Sequence, residues 1–309
     1  MTTAPPGRGL HGPDDDAEIQ AIASRAPWQE TFEMNEHADI VGYYSHGGLL
    51  QRLQAALRED GIDPRQPTIE ALSPYDQFHG RGLEATQAIA DALTITSDDH
   101  ILDIGSGIGG PARYMASRFA CRITGIDLTA EFCEVARHLT EQMALADRVD
   151  IREANALSMP FADGLFEGAY SMNVAMNIAD KRGFYAEIHR VLKPGGWLFL
   201  SEVAAGPAGE PDYPTPWART AASSFLTTPE ETLAGLRATG FEVIDHKERV
   251  QETLAFGERS RAALKRGEKA PHRAVQLIHG EIATRAMSNN ARATAQGRAV
   301  PIEIHCRKP

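Results

Sequence analysis

Ile101-Leu-Asp-Ile-Gly-Ser-Gly-Ile-Gly-Gly-Pro111 brings an acid and four glycines to the end of a short apolar run. Glycine lacks a Cβ, so this turn can adopt positive φ and approach a ligand closely. A second apolar run, Cys121-Arg-Ile-Thr-Gly-Ile126, ends on Asp127. An acid in that place can accept hydrogen bonds from both hydroxyls of a ribose. The pair reads as a site for an adenosine-containing cofactor.

Two cofactors compete. Gly105, Gly107 and Gly110 satisfy the dinucleotide spacing G-x-G-x-x-G, which alone is a weak signal. Asp103, just ahead of the glycines, would do nothing for a pyrophosphate. It suits a cation, and S-adenosylmethionine (SAM) carries an ammonium and a sulfonium. Lys193-Pro-Gly-Gly196 precedes the apolar run Trp197–Ser201, and Asn155-Ala156 falls where an adenine edge needs a partner. These features favour SAM over a nicotinamide cofactor, and an NAD-dependent oxidoreductase is the alternative of another class.

Asp-Ile-Gly-Ser-Gly-Ile-Gly-Gly, Gly-Ile-Asp127, Ala-Asn155-Ala-Leu-Ser-Met-Pro-Phe and Arg-Val-Leu-Lys-Pro-Gly-Gly together resemble the ordered motifs of class I SAM-dependent methyltransferases. From residue 40 onward the chain resembles bacterial sarcosine/dimethylglycine-type small-molecule methyltransferases. That resemblance is carried by Asp76-Gln-Phe-His-Gly-Arg-Gly82, Met172-Asn-Val-Ala-Met-Asn-Ile178, Pro214-Thr-Pro-Trp217 with Ser224-Phe-Leu226, and Pro301-Ile-Glu-Ile-His-Cys-Arg-Lys-Pro309. It implies methyl transfer to a small amino-acid-like acceptor, most simply at an amine nitrogen, with S-adenosylhomocysteine as by-product. Transfer to a thioether or thiol, with methionine as the example, is the near alternative. A SAM-binding protein without turnover is a third. The acidic N-terminal tail and Met172, where a more polar residue is expected, depart from the family pattern.

The expected cofactor residues are Asp103, Gly105, Gly107, Gly109, Asp127, Leu128, Asn155, Ala156 and the backbone at Met172. Leu128 can pack on adenine or belong to the core, and Asn155 can meet adenine or cap a turn. Asn173 and Asn177 are polar groups in an apolar stretch and, if buried, need partners. Either can bond substrate or cofactor, or cap the following helix. His79 is the best candidate should a base be needed. Arg81 can hold a substrate carboxylate bidentately, or sit in solvent. Tyr43, Tyr44, Tyr213 and Trp217 can offer ring faces to a cation, or simply pack.

The 309 residues carry a net charge of -11, with 42% hydrophobic and 24% charged residues. That balance is ordinary for a globular protein. The negative charge argues against nucleic acid, which needs a basic footprint. No apolar run approaches the roughly 20 residues of a membrane span, and the start does not read as a secretory signal. Three cysteines without metal-type spacing read as free thiols of a cytoplasmic protein. No metal is expected. The expected partner is a small-molecule substrate, and a homodimer is compatible with the sequence.

Residues 1–17 read as a disordered tail. Residues 18–95 read as an N-terminal helical cap, with Leu49, Leu50, Leu53, Ala56 and Leu57 at helical spacing. From 96 to 309 strands and helices alternate, which implies α/β architecture with helices on both faces of a mostly parallel sheet. Strands are expected near 100–104, 122–126, 148–152, 166–172 and 196–203, then 241–249 and 299–307, seven in all. Helices are expected near 110–119, 129–143 and 180–192. Thr228-Pro-Glu-Glu231 reads as a helix start with a capping box. Insertions near 205–226 and 252–294 are the candidates for a substrate cap. The whole is a Rossmann-like class I methyltransferase fold with a helical insertion before the last strand.

Overall fold

A computed structural model describes residues 39–309. The expected tail, 1–17, and the first part of the expected cap region lie outside the described residues. Residues 40–309 form one compact unit.

Seven strands make one sheet in the order β3-β2-β1-β4-β5-β7-β6. They are β1 His100–Ile104, β2 Arg122–Asp127, β3 Val149–Glu153, β4 Phe166–Met172, β5 Leu192–Ala205, β6 Glu242–Glu248 and β7 Ala299–Arg307. The first five run parallel, and β7 is antiparallel to both β5 and β6. Parallel strands are covered on both faces, so they read as apolar runs without alternation. Ile101, Leu102 and Ile104 of β1 are fully buried accordingly. β6 lies at the sheet edge, is mostly exposed and carries alternating charges, which discourages edge pairing. β5 starts earlier than the sequence suggests. Gly195 N–H donates to Lys308 O and Lys308 N–H to Gly196 O, so the Lys-Pro-Gly-Gly stretch is drawn into the strand.

Among the described helices, α1 is Leu49–Glu59, α2 Ile69–Asp76, α3 Leu83–Ala92, α4 Gly110–Phe119, α5 Ala130–Gln142, α6 Lys181–Val191 and α7 Pro229–Ala238. The insertion adds α8 Val250–Lys265, α9 Ala274–His279 and α10 Ala283–Ala295. One face of the sheet packs on Phe184, Ile188 and Val191 of α6 and Leu233 and Leu236 of α7. The other packs on Ile89 of α3, Met115 of α4 and Cys133 and Ala136 of α5. Burying one such large side chain stabilises by about 1.5–3 kcal/mol. The expected capping box is present at α7, where Thr228 Oγ1 accepts from Glu231 N–H and Glu231 returns the bond to Thr228 N–H.

α5 has a second apolar face. Phe132, Val135 and Leu139 meet Leu49, Leu53 and Leu57 of α1, Leu72 of α2 and Leu277 and Ile278 of α9. Ile108 of the glycine loop joins this cluster. The N-terminal helices and the insertion therefore meet beside the loop that the sequence marks as the cofactor site. Behind that loop a buried ion pair, Arg113 to Asp76 at 2.9 Å, ties α4 to α2.

Candidate functional site

Every expected cofactor residue falls at the carboxyl ends of β1 to β4, where ligands of open α/β sheets bind. Gly105 and Ser106 N–H both donate to Ile126 O, which pins the loop after β1 to the end of β2. Gly105 and Gly107 have φ of 73° and 53°. A Cβ on Gly105 would lie 2.2 Å from Val174 Cγ2, and one on Gly107 2.9 Å from Phe78. Glycine is thus required by backbone conformation and by the close approach of the loop after β4.

Asp127 Oδ2 accepts from Gly107 N–H at 2.9 Å and Oδ1 from Thr129 N–H at 2.8 Å. Each carboxylate oxygen keeps further accepting capacity. Burial raises its pKa, against the lowering effect of these backbone donors. Leu128, beside it, is half-buried. Asn155 Oδ1 accepts from Leu157 N–H, a turn cap, and Ala156 is half-buried against the main core. Met172 is buried at the end of β4.

Asp103 is the unusual group. It is 2% exposed, and among the described residues its Oδ2 has no hydrogen-bond partner. Burial pushes its carboxyl up to about 7, with the Asp127 charge adding to the rise and the neighbouring Tyr170 hydroxyl offsetting part of it. Among the described residues that hydroxyl makes no hydrogen bond of full geometry. An unpaired buried carboxyl is costly. Its place beside a glycine loop and an acid suited to a ribose fits the cationic end of SAM. It does not fit a pyrophosphate.

The loop after β4 is held by a carboxylate that the motifs do not mark. Glu202, 5% exposed on β5, accepts from Val174 and Ala175 N–H through Oε2 at 2.9 and 3.0 Å. Its Oε1 pairs with Ser171 Oγ at 3.1 Å. Burial pushes this carboxyl up to about 8, so at neutral pH it is mostly protonated. Glu202 thereby fixes Val174 against Gly105 and sets the turn that carries Asn173, Met176 and Asn177.

Beside that turn lies a cavity lined by Tyr44, Phe78, Asn173, Met176 and Trp217, and closed by Pro216, Val275, Ile278 and His279. Of the residues expected to meet substrate or reacting atoms, Tyr44, Asn173 and Trp217 line it. Asn173, at φ 60°, hands its backbone N–H to Ser201 O. Asn177 is one step behind, accepting from the Tyr44 hydroxyl at 3.0 Å and donating to Trp217 O at 2.7 Å. It orders the wall.

The other candidates are engaged elsewhere. His79 is buried, and its Nε2 lies 3.1 Å from both Gly82 O and Thr86 Oγ1. Burial, with His272 nearby, pushes it down to about 3, so this ring is a neutral part of a packed network that includes Gln77. Arg81 is paired with Glu303 of β7, which also holds Arg249 at 2.8 Å. Glu303 is its ion-pair partner among the described acids, and the Arg81 side chain is 10% exposed. Tyr43 donates to Thr215 O, and its ring is covered by His279 and Arg219. Tyr213 packs with Met176, Trp217 and Ala218. The contributions of Glu202, Val275, Ile278 and His279 are absent from the sequence reading. Val275, Ile278 and His279 sit in a six-residue helix whose only local signal is a short apolar run.

No group of described His, Cys, Asp or Glu residues could hold a metal ion. Among the described residues no helix is long and apolar enough to cross a membrane.

The fold and the site define a Rossmann-like enzyme domain that binds an adenosyl cofactor. Comparison with known proteins makes the class specific. A methyltransferase domain family matches residues 102–200. The chain is 30% identical over 189 residues to the methyltransferase phqN of Penicillium fellutanum, covering 59% of this chain and 55% of that protein. It is 31% identical over 187 residues to the O-methyltransferase resE of Aspergillus sclerotiorum, covering 58% and 69%. A geranyl diphosphate C-methyltransferase from Streptomyces coelicolor A3(2) shares the fold with a TM-score of 0.65 at 19% identity, covering 93% of this chain and all of that one. The chain belongs to the class I SAM-dependent methyltransferases, and its cofactor is SAM.

Asp127→Ala removes the tether of Gly107 and is expected to weaken SAM binding by about 1–3 kcal/mol. Calorimetric titration of the folded variant measures this, and an unchanged Kd would contradict the assignment. Glu202→Ala strands the buried Ala175 N–H and the part-buried Val174 N–H and should cost about 1–3 kcal/mol for the buried one, while raising both the SAM Kd and the acceptor KM. Glu202→Gln can accept from both N–H groups and donate to Ser171, so it should restore all three readouts in urea unfolding and steady-state assays. Equal damage from both variants would show that the charge, not the hydrogen bonds, matters.

Proposed function

We propose that this methyltransferase acts on a small acceptor with a largely apolar or aromatic body and transfers the methyl group to an oxygen. The observation that carries this reading is the cavity wall, where Phe78, Met176, Trp217, Val275 and Ile278 supply apolar and ring surface beside the polar side chains of Tyr44, Asn173 and His279. Such walls bind by burying apolar surface, with few polar groups to orient the ligand. The relative resE, named as an O-methyltransferase, is consistent with it.

In this reading Asp103 faces the cationic end of SAM, and Asp127 holds the ribose. Gly105, Gly107 and Gly109 let the backbone approach, while Leu128, Asn155, Ala156 and Met172 surround the adenine side. When bound, SAM supplies an activated methyl on a positive sulfur. The protein's part is to align acceptor, methyl and sulfur and to keep water out. The Tyr44–Asn177–Trp217 chain of hydrogen bonds holds the wall for that alignment.

Transfer to the nitrogen of an amino-acid-like acceptor, as implied by the sarcosine/dimethylglycine resemblance, is the second reading. The ring faces of Tyr44, Phe78 and Trp217 favour it, since they can hold a cationic amine. The engagement of Arg81 with Glu303 counts against it, because a zwitterion then lacks its expected carboxylate partner.

Purified full chain with SAM is to be offered matched panels of phenols and apolar alcohols, and of glycine, sarcosine, dimethylglycine, methionine and thiols. Products are read by mass. Methylated oxygen is expected. Products confined to amino-acid nitrogen or sulfur would overturn the oxygen assignment and leave the cofactor site untouched.

A further inference from the structure

The helix that closes the cavity cannot hold its own position. α9 has six residues, and isolated helices shorter than about 12–15 residues are marginal in water. Arg273, just ahead of it, provides no side-chain cap. Val275, Ile278 and His279 of α9 line the cavity. Leu277 and Ile278 pack on Leu49, Leu53 and Leu57 of α1 and on Leu72 of α2. Where this short helix stands against α1 and α2 decides how wide the cavity is.

One carboxylate fixes that place. Asp60 follows α1 and donates its N–H to Ala56 O and Leu57 O. Its carboxylate pairs with both Arg273 and Lys269 and accepts from the Tyr75 hydroxyl at 2.8 Å. The Asp60 and Arg273 side chains are 11% and 21% exposed, and Tyr75 is buried. The Arg273 guanidinium lies 4.4 Å from the centroid of the Tyr75 ring. Burial works against the charge on Asp60, yet Lys269, Tyr75 and Arg273 hold its carboxyl below the ordinary value, so it is ionised at neutral pH. Two backbone carbonyls join the same seam. Arg273 N–H donates to Pro74 O at 2.6 Å, and His272 Nε2 lies 2.6 Å from Gln77 O. Gln77 adjoins Phe78, which also lines the cavity. The end of α1, the end of α2, Phe78 and the start of α9 are thus tied together behind the cavity, by Asp60, Tyr75 and Arg273, which do not line it.

We propose that the Asp60–Arg273 clamp sets the width of the acceptor cavity and so selects acceptors by bulk without touching them. Asp60 and Arg273 are positioning residues. Arginine suits this place because its planar fork pairs with a carboxylate while stacking on a ring, and lysine lacks that plane. Loosening the clamp lets the Val275 and Ile278 wall give way to a larger ring. This inference rests on the reading of the cavity as the acceptor site and is indifferent to which atom is methylated.

Full chain loaded with S-adenosylhomocysteine is titrated calorimetrically with para-cresol and with para-tert-butylphenol, and the ratio of the two Kd values is the readout. Arg273→Lys and Asp60→Asn should each move that ratio toward the bulkier phenol by about tenfold, the scale on which an apolar pocket discriminates small differences in bulk. SAM affinity should stay at the wild-type value. The double variant should move the ratio no further than either single one, because both release the same clamp. Leu236→Ala, in the core between α7 and the sheet, controls for a merely destabilised fold and should lower Tm while leaving the ratio alone. An unchanged ratio in Arg273→Lys and Asp60→Asn, additive shifts in the double variant, or an equal shift in Leu236→Ala overturns the clamp. Val275→Ala tests the cavity reading itself. A shifted ratio there with none from the clamp variants removes the clamp alone and leaves the acceptor site standing. No shift there, or no binding of either phenol, removes the cavity as the acceptor site, and the proposal falls with it.

Discussion

A buried carboxyl, one oxygen of which has no hydrogen-bond partner among the described residues, lies next to the end of the first strand, and the architecture around it follows from what such a group needs. Asp103 lies inside because its strand is covered on both faces, and among the described residues its Oδ2 has no hydrogen-bond partner. An ion there has to be compensated or neutralised. With Asp127 close enough to raise it further, the protein supplies more negative potential to this spot, not less. A region arranged in that way has lower energy once a cation arrives. SAM carries one, and a pyrophosphate would be repelled.

Two further carboxyl groups turn that spot into a site. Asp127 holds the glycine loop from the β2 side, and Glu202 holds the loop after β4 from the β5 side. Val174 and Gly105 meet where the two loops touch, so the cofactor loop and the acceptor wall are positioned by one contact. The wall continues through Tyr44, Asn177 and Trp217 into the insertion, where α9 supplies its last face. In the proposed reading cofactor chemistry rests on the parallel sheet, and acceptor chemistry on the N-terminal helices, the loop after β4 and the insertion.

The division explains what the sequence could reveal. Asp103, the glycines and Asp127 stand within one strand–loop–helix unit and the next strand, and local patterning places them. The seven strands and the capping box at Thr228 are legible for the same reason. The ion pair of Arg81 is not legible, because its partner, Glu303, lies 222 residues away in the chain and only the closed sheet brings them together. His79 has the right chemistry in a glycine-rich setting, yet its surroundings are made by Gln77 and Thr86 packing inward. His279 has no local mark. It joins the cavity wall only because the fold brings the insertion beside the Pro216 carbonyl.

Calorimetric titration of SAM into the full chain at pH 6, in buffers of differing ionisation enthalpy, tests the claim about Asp103 most directly. A carboxyl raised to about 7 is mostly protonated at that pH and must ionise to meet a cation. Release of about one proton per SAM bound is expected, with affinity rising toward pH 7 and levelling beyond it. The release should vanish in Asp103→Asn, which should also bind SAM more weakly. Binding without proton release at pH 6, or an unaltered release in Asp103→Asn, would contradict the account.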